Sequence, residues 1–127
     1  MSASSLGAFS VSLPVADLAA STDFYEKLGF TAMGGDGESW TILVNGAAII
    51  GLFHGMFDKP MLTFNPGWDQ DASELPEYTD VREIHRALVD NGFGIEQDTT
   101  GDSDAGPASF VLVDPDGNPV LIDQHVG

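Results

Sequence analysis

The side chains of this 127-residue chain best suited to move a proton or hold a metal ion are His54, His85, His125 and the carboxylate of Asp123. An imidazole changes charge near neutral pH and also ligates metals, so each histidine is a candidate for either task. Asp123 and His125 are two residues apart and share one face if the segment is a strand, as an acid–base pair or as two ligands of an unorthodox metal site. His54, in Phe53-His54-Gly55-Met56, closes the first half of the chain. His85 stands beside Arg86 in a helical stretch, where a structural role is expected. There is no cysteine, which excludes disulfides, thiolate metal sites and cysteine nucleophiles together. Gly34-Gly35-Asp36-Gly37 is not a phosphate loop, because it carries an acid and precedes a strand instead of opening a helix. No serine-centred nucleophile motif occurs.

A second group of residues could line a pocket for a flat ligand: Trp40, Phe53, Met61, Trp68 and Phe110, with Phe64 assigned to the core. Trp68 stands apart, in an insertion over residues 66–78 rich in acids, proline and glycine. A large ring in such a loop suggests a lid over a site, or a dimer contact.

The elements that must position these groups follow from periodicity. Residues 9–15 alternate strictly and predict a strand, with Phe9, Val11, Leu13 and Val15 toward a helix and Ser10, Ser12 and Pro14 on the other face. Asp17 is a good N-cap, Leu18, Phe24, Tyr25 and Leu28 recur at helical spacing, and Gly29 ends the helix. A turn at residues 34–37 precedes a hairpin of residues 40–44 and 47–54 about the Asn45-Gly46 pair. The plan then repeats at an offset of about 63 residues, where Gly29-Phe30 corresponds to Gly92-Phe93. Its parts are a strand over 61–65, a helix from an Asp80/Glu83 capping box to Gly92, and strands over 94–98, 108–113 and 119–125 about an Asp116-Gly117 turn. Asp114 and Asp116 read as turn residues bonding local amides. Alternation puts Met61, Thr63 and Asn65 on the face away from the helix, and likewise Leu121, Asp123 and His125.

Four Lys and Arg against twenty Asp and Glu give a formal charge of −16. Such a surface repels phosphate backbones and anionic headgroups, so neither nucleic acid nor membrane is an expected partner. The acidity fits a solvated surface, a salty cytoplasm or a cationic ligand. With no basic leader and no long apolar run, a cytoplasmic protein of one domain is expected.

The runs Val15-Ala-Asp-Leu-Ala-Ala-Ser21, Phe24-Tyr25, Leu28-Gly29-Phe30 and Asp114-Pro-Asp-Gly-Asn118 resemble the vicinal oxygen chelate superfamily. That superfamily includes glyoxalase I, bleomycin-resistance proteins and extradiol dioxygenases. The resemblance covers residues 8–125 and implies an α+β fold of two tandem βαβββ modules, about 8–54 and 61–125, whose curved mixed sheet forms a cup. In metal-dependent members four inward side chains, usually His, Glu or Gln, hold one divalent ion. Carried across residue by residue, those positions are Ser10, Ile50 or Gly51, Met61 and Leu121. None supplies imidazole or carboxylate.

The resulting expectation is a metal-free protein without cofactor that holds an aromatic or cationic small molecule against Ser10, Ser12, Trp40, Phe53, Met61, Thr63, Asn65, Trp68, Phe110, Leu121 and Asp123. In bleomycin-resistance relatives an acidic cleft sequesters a cationic drug, which suits the charge. The alternative is a lyase, isomerase or dioxygenase whose divalent metal is held by displaced groups such as His54, Asp123 and His125. A third reading is an interaction module. The resemblance also implies a homodimer.

Overall fold

The alternating run after Gly7 folds as β1 (Ala8–Pro14) in the computed structural model of the protein, which describes residues 5–127. It is followed by α1 (Leu18–Leu28), β2 (Thr31–Gly35), β3 (Trp40–Asn45), β4 (Ala48–Phe53), β5 (Met61–Asn65), α2 (Val81–Asp90), β6 (Ala108–Val113) and β7 (Pro119–Gln124), an α+β arrangement. The chain divides into two compact units, one of residues 10–62 and one of residues 63–127 with the segment ending at Phe9. No helix among the described residues is long and apolar enough to cross a membrane.

In the unit of residues 10–62 the strand order is β2-β3-β4-β1, with β1 parallel to β4 and the other pairs antiparallel. The Asp17 carboxylate accepts the Ala20 N–H at 3.1 Å, and Gly29 closes α1 in the left-handed conformation at φ 118°. The register gives the sheet two unlike faces. Leu13, Leu43, Ile50 and Leu52 pack with Leu18, Tyr25 and Phe30 beneath α1, and Leu43 and Leu52 are fully buried. Removing each of those leucines from water contributes about 2 kcal/mol. The opposite face carries Trp40, Ile42, Gly51 and Phe53, joined by Ser12 and Pro14 of β1. Two expectations shift here. The β3–β4 turn is Gly46-Ala47 and not Asn45-Gly46, because Asn45 pairs with Ala48 and spends its side-chain amide on the Gly29 carbonyl at 3.1 Å. The turn expected at residues 34–37 begins later, since β2 continues to Gly35 through a bulge between Ala32 and Gly34.

In the other unit the order is β5-β7-β6. Val81, Ile84, Ala108, Phe110 and Ile122 form the core beneath α2, with Phe64, Leu88 and Val120 packed against it. Gln124 is fully buried there and fully used. Its Oε1 accepts the Val81 N–H at 2.8 Å, while Nε2 reaches Asp80 Oδ2, the Gly106 carbonyl and the Val126 carbonyl. This amide ties the start of α2 to the end of β7.

Four expectations are corrected in this unit. Phe110 does not line a ligand face: it pairs with Ile122 in the β6–β7 register and is wholly buried against α2. Residues 94–98 do not form a strand. Ile95 is their one large apolar side chain, and the segment makes a single bridge between Glu96 and Val111. The Asp80 carboxylate caps α2 through the Arg82 N–H at 2.9 Å, not through Glu83, and also receives the Arg82 guanidinium at 3.0 Å. That helix ends at Asp90 with Asn91 as its C-cap, one residue before the expected Gly92.

Candidate functional site

The open face of the unit of residues 10–62 is an aromatic platform. Trp40 and Phe53 are partners across β3 and β4, and their rings lie 6.3 Å apart with planes only 5° from parallel. Phe57 adds a third ring 5.3 Å from Phe53. The platform depends on Gly51, because a Cβ there would meet Phe53 Cε2 at 2.6 Å and Ile42 Cδ1 at 3.2 Å. Glycine leaves room for the phenyl ring to lie back over its own strand. Ser12 stands in register with Gly51, so a hydroxyl-bearing residue shares the face, and Ser10 follows by alternation. The register also decides between the two positions left open by the resemblance: Gly51 is on this face, and Ile50 packs beneath α1. Met61 ends this unit half-buried.

In the other unit, Leu121 and Asp123 of β7 face away from α2, opposite Val111 and Ser109. Thr63 and Asn65 of β5 are buried, and the Asn65 side-chain amide donates to the Asp123 carbonyl at 2.8 Å. Beyond the strand end His125 Nε2 lies 3.1 Å from Asp123 Oδ2. The His125 ring stacks on Trp68 with centroids 4.7 Å apart and planes 8° from parallel. Asp123, His125 and Trp68 therefore form one cluster.

The insertion carrying Trp68 is an internally bonded loop and not a free flap. Leu75 N–H donates to the Gly67 carbonyl at 2.8 Å, and the Asp69 carboxylate accepts the N–H groups of Asp71 and Ser73 at 2.9 and 3.0 Å. Gln70 bonds the Phe9 backbone twice, accepting its N–H at 2.9 Å and donating to its carbonyl at 2.6 Å, as a neighbouring strand would. Gly67, at φ 92°, is forced by crowding, since a Cβ would sit 2.3 Å from Val126 Cγ2.

The Asp123 carboxylate raises the pKa of His125 above its ordinary value by hydrogen bonding and charge, against the opposing effect of burial. The imidazolium form is thus favoured in the folded state. A raised folded pKa means that stability is fully present below the unfolded value, near ~6.5, and is lost as pH rises through the folded value. His125 is about half exposed (47%), so solvent screening limits the effect to about 0.5 kcal/mol. Thermal melts at pH 6 and pH 8.5 should show the wild-type chain losing more stability with rising pH than an Asp123→Asn chain. Equal losses would remove the ion pair from the account. Asp80, Asp98 and Asp114, whose carboxyls are held low, stay ionised throughout that window.

The remaining candidates have structural partners. His54 Nδ1 lies 3.1 Å from the Val15 carbonyl at the entry to α1. His85 Nε2 lies 2.6 Å from Asp98 Oδ2, beside an open cleft of about 460 Å³ along α2. Asp114 organises its turn as expected, accepting the N–H groups of Asp116 and Asn118. Phe57, Ser109 and Val111 belong to the faces described and are absent from the sequence-based set. Ser109 and Val111 were readable from the pairing of residues 108–113 with residues 119–124.

The donor chemistry does not fit the superfamily's divalent ion. Ser10, Gly51, Met61 and Leu121 offer a hydroxyl, no side chain, a thioether and an alkyl group, whereas such an ion takes imidazole or carboxylate. Among the described residues no group of three or more His, Cys, Asp or Glu stands together, and Asp123 and His125 stand as a pair.

Comparison with known proteins places the fold. Among solved structures, the chain resembles a Legionella pneumophila protein described as an NAD-dependent benzaldehyde dehydrogenase, at 23% identity and a TM-score of 0.68 over 92% of this chain and 98% of that one. It resembles a glyoxalase/bleomycin resistance protein/dioxygenase superfamily member from Vibrio splendidus 12B01 at 13% identity and a TM-score of 0.62, over 91% and 97% of the two chains. A catechol 2,3-dioxygenase matches at 18% identity and a TM-score of 0.64, where 98% of this chain spans 43% of that one. At these identities the likeness is one of fold alone. A search of curated proteins returns no match. The model of the Glyoxalase/Bleomycin resistance protein/Dioxygenase superfamily matches residues 7–122, and the chain belongs to that superfamily.

Proposed function

We propose that the protein binds a flat, aromatic and preferably cationic small molecule, and that it does so without a resident metal ion. The observation that carries this reading is the parallel Trp40–Phe53 pair lying over Gly51. Two parallel rings on one strand face offer aromatic surface that a flat ligand matches and an aliphatic one does not. The charge of −16 raises the local concentration of cations, and the ring faces add cation–π attraction to stacking for a cationic ligand. In unit 63–127 the Trp68 ring and the Asp123 carboxylate supply the same two elements.

The test is a fluorescence titration with a flat cation such as proflavine, using a flat anion of similar size as control, on a Trp68→Phe chain in which Trp40 is the remaining indole. Saturable quenching by the cation alone, lost when Phe53→Leu is added to that chain, is the expected result. Equal quenching by both dyes, or none, would overturn the reading. A homodimer is part of the proposal, and sedimentation at micromolar concentration tests it.

A further inference from the structure

His125 has the chemistry of a ligand more than of a wall. Its ring lies on the Trp68 indole at 4.7 Å and 8°, and its Nε2 is 3.1 Å from Asp123 Oδ2. A planar nitrogen cation held against an indole face, with a carboxylate oxygen 3.1 Å from one of its ring nitrogens, has stacking and cation–π attraction from one side and charge pairing at the edge. The two receiving groups are anchored through their backbones. Trp68 is held by the N–H of its own residue donating to the Asn65 carbonyl at 3.2 Å and by a bridge to Glu74. Asp123 lies in β7, with its carbonyl bonded by Asn65. His125 lies one residue beyond β7, and its side chain stays 47% exposed.

We propose that Trp68 and Asp123 form a subsite for a planar amidinium or imidazolium group, and that the imidazole of His125 fills it from within and must swing out for such a ligand to enter. This rests on the reading of the protein as a binder of flat cations and narrows it to ligands whose charge is carried on a planar N–C–N unit. Such a group presents an N–H in its plane to the carboxylate and a π face to the indole at once, which a tetrahedral ammonium does not. The bound imidazole acts as a gate, and its cost appears as weakened apparent affinity, because only the fraction of molecules with His125 displaced is competent.

The experiment uses Trp40→Phe as background, so that Trp68 reports alone, with benzamidinium as probe and neutral benzamide as its isosteric control. Removing the gate by His125→Ala should strengthen benzamidinium binding about tenfold or more, leave benzamide binding negligible, and lose the gain when Asp123→Asn is added. No gain in His125→Ala, or an equal gain for benzamide, would overturn the proposal, the second because the variant would then have made only an apolar hole. Should His125→Ala fail to fold, the unmodified chain serves: saturating benzamidinium should remove the indole ring-current shift from the His125 ring protons in an NMR titration, and unchanged shifts at saturation would overturn it. Proflavine quenching of Trp40 in the Trp68→Phe chain reports the broader reading separately, so either can fail while the other stands.

Discussion

A Gly51→Ala chain should fold with stability within about 1 kcal/mol of the parent and yet bind flat cations at least about tenfold more weakly, a loss of ~1.4 kcal/mol. Both halves of that result come from one distance. The added Cβ would lie 2.6 Å from Phe53 Cε2, which is closer than carbon atoms pack, so something must move. The atom met is the far end of a rotatable side chain and not backbone, so the ring swings aside at small cost, offset in part by the lower unfolded-state entropy of alanine. The swung ring is no longer parallel to Trp40, and the paired aromatic surface is gone. Proflavine titration of the Trp68→Phe/Gly51→Ala chain beside a denaturant melt reads both quantities. Unchanged affinity would show that the platform is not where ligand binds.

The opposite pattern is expected at Phe110. Truncation to alanine leaves a cavity among Val81, Ile84, Ala108 and Ile122, all nearly or fully buried, and large-to-small changes at such sites cost ~3–5 kcal/mol. For a chain of 127 residues that corresponds to a fall in Tm of roughly 12–20 °C. Affinity for flat cations, measured well below the lowered Tm, should not change, because the ring faces α2. A small loss of stability with a large loss of affinity would return Phe110 to the ligand face.

Phe110 also shows how far the sequence could be read. The alternation of residues 119–125 puts Val120 and Ile122 toward the helix and Leu121 and Asp123 away from it, as found. Hairpin pairing then carries the same faces across to β6, so Phe110, opposite Ile122, had to be core and Ser109, opposite Asp123, had to be open. The information was in the sequence, but only when the two strands are read together. On β1, alternation alone placed Ser12 and Leu13 on their faces, and both helices and their Asp caps were legible from spacing.

What was illegible is non-local. Nothing in residues 66–78 announces that Trp68 will stack on His125, 57 positions later, or that Gln70 will pair with the Phe9 backbone. The side-chain bonds of Gln124 to Val81 and Asp80 likewise join residues more than 40 apart. Local competition explains two smaller departures. Asn45 left the expected turn because its amide is used at Gly29, and Asp80 caps through Arg82, whose guanidinium it also holds.

The most direct test of the central claim is the metal content of protein purified without chelator or affinity tag, followed by thermal-shift titration with nickel, cobalt, manganese, iron and zinc ions. An ion that binds only the folded state at one hundred times its Kd would add about 2.7 kcal/mol and raise Tm clearly. The donor set of Ser10, Gly51, Met61 and Leu121 predicts substoichiometric metal and no shift with any of the five. One equivalent of bound ion with a clear rise in Tm would contradict the account and make a metal-dependent enzyme the better description.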